Sequence, residues 1–353
     1  MAMTNFGSVD FNGEEVRALA DIIKQKTFEA LPLNTIHTVL DNIVAEKQVV
    51  YAGLLSKITK LDAGCGTGNT SKAITFTQKK WSPKQVKVWL QMCGSEFETN
   101  LGVYLKTNKM DMDDLTAGGL ADFIASFITP AMVEDIYRIA WFNDTTHTVA
   151  GAGSGTELLT SGTSLTDYTI IDGLWTQIDD IVTADSTKKT TITANGSASK
   201  SLQYSDLTAQ NAADIFKNIQ TDADARLQAS ADKVILSTRT LANRYLDFLE
   251  SKANDASFVK NEAGQDVIKR RGTEIIIIDS WERTIKADFD NGTTYHKPHR
   301  ALMTTKSNIQ LALTGSFVDP EIWYSKDTEK NNFRSKYKVD AKIAEDYMSQ
   351  VAY

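Results

Sequence analysis

Cysteine is almost missing from this 353-residue chain: Cys65 and Cys93 are the only two. Two thiols are too few for a disulfide scaffold or a structural zinc site, so a reducing interior is the default reading. No stretch approaches the ~18 apolar residues of a membrane span. The N-terminus, MAMTNFGSVDFNGEEV, lacks a basic start followed by an apolar core. The chain therefore reads as neither secreted nor membrane-embedded. On that reading Asn195-Gly-Ser197 and Asn291-Gly-Thr293 are turns, not glycosylation acceptors. A basic excess is missing as well, since 38 Lys and Arg face 45 Asp and Glu for a net charge of -7. That sign argues against a protein whose main work is gripping phosphate backbones. No nucleophile elbow or HExxH pair is found, and no catalytic, cofactor or metal set is assigned. What is present, 42% hydrophobic and 24% charged residues, is ordinary for a globular chain with a sizeable core and one to three domains.

One glycine cluster imitates an enzyme. Leu61-Asp-Ala-Gly-Cys-Gly-Thr-Gly-Asn69 nearly reproduces the loop that cradles S-adenosylmethionine in doubly wound methyltransferases. That mechanism needs a buried apolar strand before the loop, a helix opening at its end, and a carboxylate about twenty residues on. The lead-in Ser56-Lys-Ile-Thr-Lys60 is half polar, the follow-on Lys72 to Lys79 alternates like a strand, and Lys79-Lys80-Trp81 stands where the carboxylate is needed. Asn69-Thr70 also rules out a Walker loop. The better reading is a long β-hairpin with strands Lys57 to Asp62 and Ala73 to Lys79 and its tip at Gly64, Gly66 and Gly68.

The rest of the first half is helical in pattern. Val16, Leu19, Ala20 and Ile23 mark one apolar face, and Ile36, Val39, Leu40 and Ile43 mark a second over Asn34 to Glu46. Such faces pack either on their own domain or on a neighbouring chain. Asp111-Met-Asp-Asp114 fits a capped helix start better than a calcium loop, because Leu115 sits at the fifth ligand position. An apolar stripe follows from Leu120 to Ile139, with Pro130 expected to kink or restart the helix. Thr145 to Thr169 reads as a loop with a solvated His147, Asp172 to Val182 as a short helix, and Thr183 to Ser201 as a surface hairpin. Asp288 to Gly292 reads as a turn between strands. His296 and His299 flank Pro298, and a structural role is favoured over a shared metal.

The second half is organised around Asn211 to Gly315. Ala212, Ile215, Phe216 and Ile219 lie on one helix face, Val234-Ile-Leu236 forms a short strand, and Leu241, Tyr245, Phe248 and Leu249 form a second helix face. Arg270-Arg-Gly272 then turns the chain into Ile275-Ile-Ile-Ile278, which suits a strand covered on both faces.

This succession, followed by the strand RALMTTKSNIQLAL (Arg300–Leu313) and a closing strand from Tyr337 to Tyr347, resembles the major capsid proteins of tailed double-stranded-DNA bacteriophages. The likeness covers most of Asn211 to Tyr353 and, more loosely, Trp81 to Asp179. It implies an α+β fold of the Hong Kong 97 type: an N-terminal helical arm (1–55), an extended β-hairpin loop (56–82), and a peripheral domain (83–182) with a spine helix at about 115–141. An axial domain (183–315) and C-terminal strands returning to the peripheral domain (316–353) complete it. The resemblance further implies self-assembly through pentamers and hexamers into an icosahedral virion shell in the host cytoplasm. Portal, scaffold or cementing proteins would be its partners, and it would enclose DNA without sequence-specific binding. It tips the apolar faces towards contacts between subunits, made by Val16, Leu19, Ile36, Val39, Leu40 and the tip at Gly64, Gly66 and Gly68. An encapsulin-like nanocompartment shell protein has the same fold and is the first alternative; a methyltransferase using Asp62 to Gly68 is the second.

Overall fold

The computed structural model describes residues 35–41, 43, 48–52, 76–93, 117–149, 158–252, 258–260, 266–314 and 321–353. Two sheets organise them. The five-stranded sheet holds β1 (Thr38–Asp41), β4 (Lys84–Cys93), β13 (Ile309–Thr314), β14 (Glu321–Ser325) and β15 (Lys330–Ile343). β15 is its axis, with β4 antiparallel along one edge and β13 then β14 antiparallel along the other. β1 adds in parallel to β13.

The seven-stranded sheet runs β7 (Lys189–Thr190), β16 (Gln350–Ala352), β12 (Ala301–Thr305), β8 (Lys233–Ser237), β11 (Thr273–Ile277), β10 (Asp266–Arg270), β9 (Phe258–Lys260). Two ribbons pair β2 (Gln48–Ala52) with β3 (Phe76–Lys80) and β5 (Thr148–Val149) with β6 (Leu158–Leu159). The helices are α1 (Ala117–Phe142), α2 (Leu174–Ala184), α3 (Lys200–Ser205), α4 (Ala209–Asp222), α5 (Ala225–Ala229), α6 (Arg239–Ser251) and α7 (Asp279–Asp288).

The two-residue period of a strand divides the larger sheet between two cores. Ile235, Ile275, Ala301, Met303 and Ala352 pack with Phe216 and Ile219 of α4 and Leu241 and Tyr245 of α6. Leu236, Ile278, Leu302 and Val351 face the other way, into a core shared with α1, α2, α7 and the five-stranded sheet. Burial on both faces is why Val234-Ile-Leu236 and Ile275 to Ile278 read as unbroken apolar runs, and β8 and β11 are indeed a parallel pair. The hairpin entering β11 needs left-handed backbone at both loop positions, supplied by Arg271 (φ 46) and Gly272 (φ 79).

The shared core is rich in tryptophan. Trp141 of α1 lies 4.6 Å from Trp281 of α7 and 5.6 Å from Trp175 of α2, ring centre to ring centre. Its indole N–H donates to His37 Nε2 at 2.9 Å. Arg300, 1% exposed, lays its guanidinium 4.9 Å from the Trp175 ring and donates to the Lys297 carbonyl at 2.9 Å. Gly173 lets α2 approach α1 closely, since a Cβ there would sit 2.9 Å from the Asn143 carbonyl oxygen.

Several expectations need correction. Asn34 to Glu46 is not a helix: Thr38 to Asp41 form β1, because β13 offers a parallel edge and tertiary pairing overrides a helix-compatible spacing. α1 runs from Ala117 to Phe142 with Pro130 inside it, so of the expected kink or restart the restart does not occur. The segment read as one strand from Arg300 to Leu313 is broken by a 3-10 turn at Lys306–Asn308, which sends β12 into one sheet and β13 into the other. β16 belongs to the seven-stranded sheet, so the C-terminal residues do not all return to the sheet of β15. Thr183 to Ser201 takes in the end of α2, 3-10 turns, β7 and the start of α3, not a hairpin. The turn at Asp288 to Gly292 follows a helix, α7.

Candidate functional site

The candidate residues fall into three groups. Val16, Leu19, Gly64, Gly66 and Gly68 lie outside the described residues. Ile36 is 4% exposed within its own subunit, in the core that holds Trp141, so it offers no surface to a neighbour. Val39 and Leu40 are half-buried on β1, Val39 against that same core and Leu40 beside Ile43, Trp81 and Ala312. Ile36 thus packs inside its own subunit, and Val39 and Leu40 help to fasten β1 to the body while remaining half exposed.

β3, which overlaps the second expected hairpin strand, pairs with an earlier stretch than expected. β2 pairs residue by residue with β3, from Gln48 opposite Lys80 to Ala52 opposite Phe76. The first expected strand, Lys57 to Asp62, and the expected tip at Gly64, Gly66 and Gly68 lie outside the described residues. Lys79 ties the base to the body, donating to the Ile343 carbonyl at 2.8 Å and to Asp346 at 2.6 Å.

Sequence reasoning missed β4. Among the described residues it pairs only with β15, and it carries Trp89 at 49% and Leu90 at 44% exposure. Large exposed apolar side chains on an edge strand mark an interaction surface or an aggregation hazard. The signal was in the alternation of Val86 and Val88, which pack on the core and so turn Lys87 and Trp89 outward.

The strand ends where an enzyme of this architecture keeps its ligand border a cleft of about 530 Å³ lined by Arg239, Asp279, Glu282, Arg283 and Lys286. β8 and β11 are adjacent and parallel, and they lead into helices on opposite faces of the sheet, the switch point at which open α/β sheets bind ligands. Here Glu282 of α7 fills the N-terminus of α6. It accepts from the Thr240 N–H at 3.0 Å, the Thr240 hydroxyl at 2.6 Å and Lys286 at 2.7 Å. Burial alone would push this carboxyl up, but the hydrogen bonds from Lys286 and from both donors of Thr240 outweigh it and hold its pKa below the usual glutamate value. A carboxyl depressed in the folded state contributes stability that is complete above the ordinary glutamate pKa and lost as pH falls through the depressed one. Glu282→Gln is expected to cost about 1–2 kcal/mol at pH 7, as loss of a helix cap does, and to flatten the acid limb of a stability-against-pH curve. Urea denaturation at pH 7 and pH 3 checks both.

His147 and His299 are both buried. His147, expected to be solvated, is 6% exposed, with Nε2 2.8 Å from the Phe142 carbonyl and its ring edge-on to Tyr168 and Phe289. His299 is buried with Nε2 2.9 Å from the Gln203 carbonyl, and burial lowers its pKa. No group of three or more His, Cys, Asp or Glu able to hold a metal is found among the described residues. A cleft of about 350 Å³ near Asn195 and Tyr295 is lined by Lys189 and Lys297. Both cations lie over the Tyr353 ring, at 4.2 and 4.0 Å, and Lys297 also pairs with Asp179 at 3.0 Å.

No protein-family model and no curated protein matches the chain. Solved structures do. A chain of the satellite phage P4 procapsid including size determination (Sid) protein superposes with a TM-score of 0.51 at 9% identity, over 95% of this chain and 98% of that one. The capsid of cyanophage P-SCSP1u gives 0.49 at 12% identity, over 90% and 86%. A virus-like particle from Pyrococcus furiosus gives 0.45 at 10% identity, over 96% and 98%. At such identities the likeness is one of fold. The chain has the fold of the tailed-phage major capsid proteins, the α+β fold of the Hong Kong 97 type. The mixed seven-stranded sheet is not the parallel sheet a doubly wound methyltransferase requires, and Asp62 to Gly68 lie outside the described residues.

Proposed function

We propose that this protein is a major capsid protein that self-assembles through pentamers and hexamers into an icosahedral shell around double-stranded DNA. The observation that carries the reading is the near end-to-end superposition on a procapsid chain. The described geometry supports it: two cores fused into one body, a ribbon whose base is tied to that body by Lys79, and an exposed edge at β4. In this reading the five-stranded sheet with α1 is the peripheral domain and the seven-stranded sheet with α4 and α6 the axial domain. The hairpin beyond β2 and β3, with Gly64, Gly66 and Gly68 at its tip, reaches the adjacent subunit, and so does the arm bearing Val16 and Leu19.

The association is heterologous, so each subunit must bury on the order of 2,000 Å² or more against its neighbours. Portal, scaffold or cementing proteins complete the particle, and the shell is a virion component assembled in the host cytoplasm. An encapsulin-like shell shares every feature of this fold, and nucleic acid rather than protein cargo inside the particle separates the two readings. The assembly state tests the proposal. Sedimentation of the purified chain is expected to show pentamers, hexamers or megadalton particles, and a chain sedimenting as a monomer at every concentration would overturn it.

A further inference from the structure

The net charge of -7 conceals a basic surface. Along β15 the residues Phe333, Tyr337, Val339, Ala341 and Ile343 enter the core. The alternate residues Lys330, Arg334, Lys336 and Lys338 therefore face the other side of the sheet, and register adds Lys87 and Trp89 of β4 to them. Towards β13 this outer face is covered, because Trp81 packs on Ala312 and the Ser82 N–H holds the buried Asp340 at 2.7 Å. Asn332 on this face is 1% exposed and accepts from Trp89 and Gln91, and the part from Arg334 to Lys338 is open. Lys87, Lys338 and Trp89 are exposed there, and Lys330, Arg334 and Lys336 are half-buried.

Two details mark this face as more than solvated charge. Lys87 stands directly opposite Lys336, a like-charge pair across neighbouring strands that weakens the sheet unless an anion bridges it. The cations are interleaved with indoles: Lys87 lies 4.6 Å from the Trp89 ring centre and Arg334 5.5 Å from that of Trp323. Basic side chains alternating with exposed aromatic faces are what nucleic-acid backbones and bases bind.

We propose that this face of the five-stranded sheet, centred on Lys87, Trp89, Arg334, Lys336 and Lys338, contacts the phosphate backbone of nucleic acid. The polyanion is taken to be the enclosed DNA, and that identity rests on the shell reading. Charge disfavours the hairpin of a second copy as occupant, because residues 53–75 carry Lys57, Lys60 and Lys72 against Asp62 and are themselves basic. A DNA-facing sheet also fixes the orientation of the subunit in the shell wall.

The test uses the unassembled full chain and fluorescence anisotropy of one labelled sequence, about 20 nucleotides long, as duplex and as single strand. Binding is expected at 50 mM salt and should weaken at least about 10-fold by 200 mM. Lys336→Glu with Lys338→Glu should lower affinity at least about 10-fold and reduce the salt slope by roughly two. The milder pair Lys336→Gln and Lys338→Gln should do the same to a smaller degree, which guards against misfolding of the charge-reversed chain. Trp89→Ala should weaken single-strand binding about 10-fold, as loss of one stacked base does, and duplex binding less. Lys217→Glu, on the exposed face of α4, should bind as the parent does. No binding at 50 mM salt overturns the proposal, as does equal binding by both paired variants and the Lys217→Glu control. So does loss of assembly in those variants with DNA binding intact, which would make the face a protein contact. Particle formation is scored separately, so a shell that ignores DNA rejects this inference and leaves the proposed function standing.

Discussion

Replacing Trp141 by alanine is expected to lower the unfolding free energy by about 3–5 kcal/mol, the cost of emptying a large aromatic site in a packed core. The ring is 0% exposed and touches Trp175 and Trp281, so all three packed helices lose a shared partner. Its N–H also satisfies His37 Nε2, and a buried acceptor left without its donor adds desolvation to the loss. Native domains have only ~5–15 kcal/mol in hand, so the variant should approach the limit of folding. The comparison is Trp89→Ala on the exposed edge of β4, expected within about 0.5 kcal/mol of the parent. Urea denaturation of the unassembled chain measures both. A Trp141→Ala variant within 1 kcal/mol of the parent would mean that α1, α2 and α7 do not meet as described.

Two truncations separate folding from assembly. Removing residues 1–34 takes Val16 and Leu19 and leaves β1, so the subunit is expected to stay folded and to lose shell formation. Removing residues 1–46 also takes β1, His37, Ile36 and Ile43. Two buried isoleucines alone represent roughly 4 kcal/mol at about 2 kcal/mol each, and the parallel ladder to β13 goes with them. That longer truncation is expected to unfold or aggregate. Circular dichroism reports the fold and light scattering the assembly. Normal shells from the shorter chain would remove the arm from the account, and a folded longer truncation would contradict the packing of β1.

Much of the second half was legible from pattern alone. Ala212 to Ile219 and Leu241 to Leu249 show the three-and-four spacing of α4 and α6, and β8 and β11 stand out because Val234 to Leu236 and Ile275 to Ile277 are apolar towards both faces. What failed were places where a distant strand decides. Ile36, Val39 and Leu40 satisfy a helix template, yet β13 recruits them as an edge. Arg300 to Leu313 looks like one strand because nothing local announces that the turn at Lys306–Asn308 divides it between two sheets. Arg300 itself, buried among Phe142 and Trp175 with carbonyls as acceptors, carries no local mark of its burial. Trp89 could have been found, since the alternation through Val86 and Val88 sets it outward. A net charge summed over the whole chain does not show how period-two spacing collects Lys330, Arg334, Lys336 and Lys338 on one face.

The central claim is that this chain builds a closed shell. Electron microscopy of the purified full-length chain tests it most directly. Closed icosahedral particles, or rings of five and six subunits, are the predicted result. Tubes, fibres, or a field of single subunits at every concentration would contradict it.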